Sequence, residues 1–187
     1  MKLSLLIVTF LFLWSCERNF TSVDLNERRI ISLSIGNKYL YHVYSLADIV
    51  FSDLYSHQEI IADTIIFGRR YFNFNNEEFL RIEGNKVLVF SKNGDIVKYD
   101  FEVEIGDTVD FQGDNLIVSE VSEEPILGDI QKVFRLTNVD FKPDTVISVS
   151  YSTKFGLISI NRTHSNSSSG KRLVGAIISS QKYGWWW

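Results

Sequence analysis

Apolar and polar side chains alternate along most of the sequence between residues 31 and 178. The longest example is the segment Ile96–Ile105, in which every second residue is apolar: Val97, Tyr99, Phe101, Val103 and Ile105. A period of two places these side chains on one face of a strand and the charged residues between them on the other face. The pattern predicts a half-buried antiparallel strand over Ile96–Ile105.

Shorter segments with the same character predict further strands. The run Val87–Phe90 is apolar throughout, which is typical of a strand covered on both faces. The other predicted strands are Ile31–Ile35, Tyr39–Val43, Phe79–Ile82, Thr108–Phe111, Leu116–Val121, Val133–Thr137, Thr145–Tyr151, Leu157–Ile160 and Leu173–Ile178.

Glycine-containing turns separate several of these strands. Glu83-Gly84-Asn85 and Asn93-Gly94 divide residues 78–105 into a predicted three-stranded meander. Asn-Gly tolerates positive φ at both central positions, so Asn93-Gly94 is expected to form a type I′ turn. Gln112–Asn115 predicts another hairpin, between Thr108–Phe111 and Leu116–Val121.

Ten or more short strands at this spacing predict an all-β fold in one domain, residues 29–184. An antiparallel β-sandwich is the first expectation, and a lipocalin-like meander barrel is the alternative. Two segments are predicted to lie outside strands. Residues 46–54 carry apolar side chains at helical spacing and are expected to form a short helix or a long loop. The polar segment Thr163–Gly170 is expected to form a mobile hairpin loop.

The amino terminus has the pattern of an export signal. Lys2 precedes the largely apolar run Leu3–Trp14, which is shorter than the roughly 20 residues that span a bilayer. Leu13-Trp14-Ser15-Cys16 looks like a bacterial lipobox. This resemblance implies a signal peptide over residues 1–15, diacylglyceryl and acyl (palmitate-type) modification of Cys16, and a tether over residues 16–28. A plain secretory signal is the alternative.

Composition excludes several classes of protein. The formal net charge is −4 and no basic run is longer than a doublet, so no nucleic-acid partner is expected. Hydrophobic residues make up 45% and charged residues 22%, which is typical of a folded globular chain. The one cysteine excludes an intrachain disulfide.

Short motifs distributed along the chain carry a family resemblance. They are Gly36–Tyr41, Asp63-Thr64-Ile65, Gly68-x-x-Tyr71, Leu80–Val87, Tyr99-Asp100-Phe101, Gly106-Asp107-Thr108, Phe155–Ile158 and Leu173–Ile178. Together with the lipobox, this set resembles the β-rich exported lipoproteins of Bacteroidota. The resemblance implies a lipid anchor in the outer membrane, on its periplasmic face or at the cell surface, and it transfers no catalytic residue.

The sequence contains few candidate residues for metal binding or catalysis. His42, His57 and His164 are far apart in the sequence and match no metal-binding spacing, so no metal or cofactor is expected. Asp100, Glu102 and Glu104 share one face of the predicted strand; we interpret them as a solvated acidic face, with a calcium site as the alternative. No G-x-S-x-G motif marks a catalytic serine.

Aromatic residues make up 14% of the chain. Tyr39, Tyr41 and Tyr44 are candidate ligand-stacking residues, alone or with Tyr71, Phe72 and Phe74, because aromatic rings pack against the apolar faces of sugars. Packing in a β core is the alternative. Trp185, Trp186 and Trp187 form an aromatic tail that, if exposed, would suit a partner groove or a membrane interface.

These observations favour a non-enzymatic, membrane-anchored lipoprotein of the bacterial envelope that binds or scaffolds a glycan or an envelope protein. The first alternative is a lipocalin-like carrier of a small apolar molecule, because the up-and-down meander favours a barrel and Gly36-x-x-Tyr39 resembles the first-strand motif of lipocalins. The second alternative is a hydrolase on a β scaffold, which would require convergent carboxylates in a cleft.

Overall fold

The computed structural model describes residues 30–47, 50–138, 145–165 and 167–186. The predicted signal peptide (1–15), Cys16 and the tether (16–28) lie outside these residues. The described chain forms thirteen strands: β1 (Lys38–Ala47), β2 (Val50–Ile66), β3 (Arg69–Phe74), β4 (Phe79–Glu83), β5 (Lys86–Val89), β6 (Ile96–Asp100), β7 (Thr108–Phe111), β8 (Asp114–Ile126), β9 (Asp129–Asn138), β10 (Thr145–Ser152), β11 (Gly156–His164), β12 (Ser167–Ile178) and β13 (Gln181–Gly184).

The strands form one continuous antiparallel sheet. Its order is β6-β5-β4-β3-β2-β1-β12-β11-β10-β9-β8-β7, and β13 pairs with β12 outside this path. All neighbours in the path are consecutive in sequence except β1 and β12, which pair over the full length of β1. The fold is therefore two meanders joined by a single long-range strand pair.

The sheet curls until its two halves face each other. Tyr99 on β6 and Tyr151 on β10 are separated by seven strands in the sheet, yet their ring centroids are 5.2 Å apart. Phe101, which follows β6, lies 5.9 Å from Phe134 on β9. These contacts give a nearly closed, barrel-like sheet around one core. The predicted sandwich of two separate sheets is not confirmed, and the predicted meander barrel fits this path.

Strand β2 makes the bend that allows this closure. Its residues 50–59 pair with β1, and residues from Ile60 onward pair with β3, with a register shift between Ile60 and Ala62. A bulge increases the local twist and bends the strand, which is how strands turn corners in curled sheets.

Hydrogen bonds of Asn37 connect this bend to the chain segments around it. Its side-chain amide donates to the Ser32 carbonyl (2.6 Å), and its side-chain oxygen accepts from the Ser179 amide (3.0 Å). Its backbone carbonyl accepts from the Ile60 amide (3.0 Å). The side chain and backbone of this one buried residue therefore link the segment before β1, the bulge in β2 and the β12–β13 turn.

Aromatic side chains fill the centre of the core. The rings of Phe134 and Tyr151 stack with centroids 5.1 Å apart, and Phe101 packs edge-on against Tyr151. The Tyr151 hydroxyl donates to the Asp100 carbonyl at 2.8 Å. Full burial of a large apolar side chain is worth about 1.5–3 kcal/mol, so this group contributes a large part of the hydrophobic stabilisation.

Several predicted elements are confirmed. The meander over residues 78–105 contains β4, β5 and β6 as neighbours, and Val87 and Leu88 are both buried, as expected for a strand covered on two faces. The β7–β8 hairpin turns at Gln112-Gly113, both with positive φ. The strands predicted within β1 and β7 to β12 are present.

The prediction of a short helix or long loop over residues 46–54 is wrong. Strand β1 continues to Ala47 and β2 begins at Val50, and the two pair to the ends with Ala47 opposite Val50. Residues 48 and 49 lie outside the described part. The apolar residues here suit both periods, and cross-strand pairing with β1 decides for the strand.

The strand predicted over Ile96–Ile105 is too long, since β6 ends at Asp100. The Asp100 side chain accepts from the Glu102 amide (3.0 Å), and the Asp107 side chain accepts from the Glu104 amide (2.8 Å). Carboxylates that bond nearby backbone amides compete with strand pairing. As a consequence, Ile105 is exposed rather than buried.

Three smaller predictions also fail. Gly94 donates to the Ser91 carbonyl and Asn93 keeps a negative φ, so Asn93-Gly94 is not the centre of a type I′ turn. The predicted mobile loop Thr163–Gly170 is largely strand, because β11 runs to His164 and β12 starts at Ser167; Asn166 lies outside the described residues. Residues 31–34 belong to no strand, and Ile35 lies in a turn.

Candidate functional site

The interior of the barrel contains a cavity of about 380 Å³. Its walls come from β1, β2, β6, β7, β11 and β12 and from Gln112 in the β7–β8 turn, so both edges of the sheet path contribute. The apolar wall consists of Val43, Tyr99, Phe111, Leu157 and Ile160. Pockets that hold small molecules in proteins usually measure about 300–1,000 Å³ and are mostly apolar, with a few placed polar groups.

Three cationic side chains also line this cavity: Lys98, Arg162 and Lys171. Lys98 forms an ion pair with Glu78, and Arg162 forms one with Asp114 at 3.2 Å. No carboxylate of the described residues lies within ion-pair distance of Lys171. Two of the three cations in this cavity therefore have a carboxylate partner, and the third, Lys171, has none among the described residues.

Lys171 is half-buried, and its ammonium group lies 4.8 Å from the centroid of the Tyr41 ring. Burial lowers the pKa of Lys171 below that of a free lysine, and the neighbouring charge of Lys98 lowers it further, although the charge of Glu78 opposes both. An anionic group placed beside Lys171 would relieve both the desolvation and the repulsion.

Beyond the cavity the barrel is filled by side chains. Tyr39, Tyr41 and Tyr99 surround a residual space of only about 30 Å³. The Tyr39 hydroxyl is buried without a hydrogen-bond partner. Burial raises the pKa of Tyr39 and Tyr41 well above the usual tyrosine range. This end of the barrel is a packed floor, and the open space lies on the side of Val43 and Lys171.

The three candidate stacking residues do not form one exposed platform. Tyr39 and Tyr41 are buried on the inner face of β1, where Tyr39 stacks on Phe74 with centroids 6.3 Å apart. Tyr44 is half-buried and its hydroxyl donates to the Asn161 side-chain oxygen across β12. Of the further aromatic candidates, Tyr71 is also buried. The expectation of core packing accounts for most of this set.

The predicted acidic face is not a face of a strand. Asp100 closes β6 and pairs with Lys86 at 2.8 Å, whereas Glu102 and Glu104 lie in the turn segment that follows. The Glu102 carboxylate accepts from the Asn85 side-chain amide at 2.8 Å. These groups stabilise a turn and do not converge on a cleft.

The histidines lie apart in the structure as well. His42 contacts Tyr55 on the outer face of the sheet (ring centroids 5.3 Å apart), His57 is exposed on β2, and His164 lies 2.9 Å from the Thr145 hydroxyl. Across the described residues no three His, Cys, Asp or Glu side chains form a group that could hold a metal ion.

The predicted aromatic tail is partly folded back. The Trp185 amide donates to the Val174 carbonyl at 2.9 Å, which extends the β12–β13 pairing by one residue. The indole N–H of Trp186 donates to the carbonyls of Ala176 and Tyr183, whereas the Trp185 ring remains half-exposed. Trp187 lies outside the described residues.

The comparisons with known proteins assign this chain to no family. No protein-family model matches the chain, and no curated protein matches it. Among solved structures, the chain is similar to a crystal structure of a LolA superfamily protein from Nitrosomonas europaea, with 10% identity over 85% of this chain and 90% of that chain and a TM-score of 0.23. This TM-score is too low to support an assignment of fold or ligand. In the residues described here no helix is long and apolar enough to cross a bilayer.

Proposed function

We propose that the protein is a non-enzymatic binding protein of the bacterial cell envelope, anchored through Cys16, whose barrel interior holds a small amphipathic anion. The apolar part of the ligand would lie along Val43, Leu157 and Ile160, and its carboxylate or phosphate would lie beside Lys171. The envelope location rests on the lipobox-like Leu13–Cys16 and on the resemblance to exported lipoproteins.

The observation that carries the ligand class is the half-buried Lys171 without a carboxylate partner. An ammonium group in an apolar wall loses hydration, and this cost is offset only when an opposite charge or a polar ring faces it. Tyr41 supplies the ring on one side. A bound anion on the cavity side would supply the missing charge, whereas a neutral apolar molecule would leave it uncompensated.

A medium-chain carboxylate tests the proposal directly. Decanoate and decanol share an apolar chain and differ in charge, so their binding to the protein from Glu17 onward can be compared by native mass spectrometry and calorimetry. We expect decanoate to bind with one-to-one stoichiometry and decanol to bind at least about tenfold more weakly, because only the acid has a charge-assisted partner.

Substitution of the lysine separates the site from non-specific binding. Lys171→Met keeps the length of the side chain and removes its charge, so we expect decanoate to lose its advantage over decanol. Lys92→Met, on an exposed turn, is the matched control and should change neither affinity. Equal affinity for the acid and the alcohol in the unsubstituted protein would contradict the assigned ligand class, and the absence of binding by both would contradict the carrier function.

The pH dependence has a definite sign. The pKa of Lys171 is lowered in the folded protein, so its ammonium group loses its proton before a free lysine with a pKa of 10.5 would. Decanoate affinity should therefore fall as the pH rises through the pKa of Lys171, while decanol affinity stays constant. The same pH series on Lys171→Met should be flat for both ligands.

A further inference from the structure

A second concave surface of about 340 Å³ lies on the outer face of the sheet. It is lined by His42 and Tyr44 of β1, Arg172 of β12, and Ser159 and Asn161 of β11. The strand register places His42, Arg172 and Ser159 in one row across three strands. Tyr44 also lines the cavity that contains Lys171, whereas His42, Ser159, Asn161 and Arg172 are not among the residues that line that cavity.

Gly170, which lines the cavity that contains Lys171, lies beside two residues of this outer concavity. It lies between Tyr44 on one neighbouring strand and Asn161 on the other. A Cβ atom at this position would lie 2.7 Å from both the Tyr44 hydroxyl and the Asn161 side-chain oxygen, so the bond between these two side chains crosses β12 only because residue 170 has no side chain. The crossing holds the Tyr44 ring in place beside the concavity.

Aromatic rings continue from this concavity along the outer face. The centroid of the His42 ring lies 6.2 Å from that of Tyr44 and 5.3 Å from that of Tyr55, and Tyr55 lies 5.7 Å from Trp185. Tyr55 is 45% exposed and Trp185 is 49% exposed. We call His42, Tyr44, Tyr55 and Trp185 the outer aromatic row. His42 and Tyr44 are half-buried, and a contiguous, partly exposed apolar surface of this kind is a feature of interaction sites.

Arg172 gives this surface its charge. Of the arginines in the described part of the chain, Arg69, Arg70, Arg81, Arg135 and Arg162 each pair with a carboxylate. Arg172 is the exception within those residues, and it is exposed at the edge of the concavity. A guanidinium group presents several donors in a plane that matches a carboxylate.

We propose that this outer surface binds an acidic oligosaccharide. The apolar faces of the sugar rings would stack on the outer aromatic row, a uronate carboxylate would pair with Arg172, and the hydroxyl groups would bond to Ser159 and Asn161. An extended peptide fits less well, because β1, β11 and β12 are paired on both sides here and offer no free strand edge.

A matched pair of sugars tests the proposal. The full-length protein is titrated with a short oligogalacturonate and with the neutral oligogalactoside of the same length, and binding is followed by calorimetry at low and high salt. We expect the acidic sugar to bind more tightly and to weaken as salt rises, because its charge pairs with an exposed arginine. Equal affinities for the two sugars, or no binding of either, would overturn the proposal.

Two variants locate the site. Arg172→Gln should weaken binding of the oligogalacturonate by about tenfold or more, and Tyr55→Leu should weaken binding of both sugars. Arg70→Gln is the control, because Arg70 is also exposed but lies on β3. The midpoint of thermal unfolding should be unchanged in Arg172→Gln, and this result would show that the fold of the variant is intact. Oligogalacturonate binding that survives Arg172→Gln would place the sugar elsewhere and contradict the assignment.

Discussion

At the scale of single residues, the most connected polar group is Asp95. Its carboxylate accepts hydrogen bonds from the Tyr71 hydroxyl (2.7 Å), from Arg81 Nε (2.6 Å) and from Arg69 (3.3 Å). These bonds hold the loop between β5 and β6 over the outer face of β3 and β4. Asp95 follows Gly94 in the sequence, where a carboxylate looks like an ordinary turn residue, so no local signal marks its partners.

Replacement of Asp95 by Asn should lower the free energy of unfolding by about 2 kcal/mol, because it removes the buried carboxylate that pairs with the buried Arg81 and leaves Arg81 paired with the exposed Glu83 alone. Chemical denaturation measures this change. Asp63→Asn is the matched control, since Asp63 pairs with Arg70 at an exposed site where the effect should stay below about 0.5 kcal/mol. Equal effects of the two substitutions would show that Asp95 has no special structural role.

The Asp95 interaction also has a pH dependence. Burial raises the pKa of Asp95, but the hydrogen bonds from Tyr71 and Arg81 and the nearby arginine charges outweigh it, so the pKa lies below the 3.8 of a free aspartate. A carboxylate whose pKa is lowered by folding stabilises the protein fully above its unfolded-state pKa. This stabilisation is lost as the pH falls through the folded-state pKa. The difference in stability between the unsubstituted protein and Asp95→Asn should therefore shrink below about pH 3.8.

At the scale of elements, tight hairpins set the meander. The turns Phe67-Gly68, Gln112-Gly113, Leu127-Gly128 and Ser179-Ser180 each join two strands, and both residues of each turn have positive φ. This conformation matches the right-handed twist of the strands. Of these four turns, only Gln112-Gly113 is predicted from the sequence, because Phe and Leu are not turn-forming residues and Ser179-Ser180 lacks glycine.

Phe67 offers a test of this explanation. It has φ of 49° and is 91% exposed, so a bulky side chain occupies a conformation that Asn adopts with less strain. Phe67→Asn should raise the free energy of unfolding by roughly 0.5–1 kcal/mol, and Gly68→Ala, with φ of 76°, should lower it by about 1 kcal/mol. Thermal and chemical denaturation measure both changes. A loss of stability in Phe67→Asn would show that the contact with the Phe90 ring outweighs the backbone strain.

At the scale of the whole molecule, both halves of the sheet share one core. Tyr151 on β10 contacts Tyr99 and Phe101 of the opposite half as well as its neighbour Phe134. Among the strand pairs, that of β1 with β12 joins the two halves, and side-chain hydrogen bonds such as that from the Tyr151 hydroxyl to the Asp100 carbonyl also cross between them. These ring contacts link residues far apart in sequence and bind the two meanders into one unit.

Tyr151→Ala should therefore destabilise both halves together, by about 3–5 kcal/mol, while Tyr151→Phe should cost about 1 kcal/mol through the lost bond to Asp100. Amide hydrogen exchange at Val87 and Val149, which lie in opposite halves, gives the readout. Their protection should fall by equal amounts in Tyr151→Ala. A loss at Val149 alone would mean that the two meanders unfold independently.

Period-two alternation and glycine turns are local signals, and they are sufficient to predict the all-β class, the meander over residues 78–105 and most strand positions. The closure of the sheet becomes visible only in three dimensions, since it depends on the β1–β12 pair and on the bend in β2. The same closure brings Lys98, Arg162 and Lys171 to one cavity and buries Tyr39 and Tyr41 in the core, while Tyr44 remains half-buried at the cavity wall. Long-range pairing assigns each face of a strand to the interior or to solvent, and no local pattern contains that information.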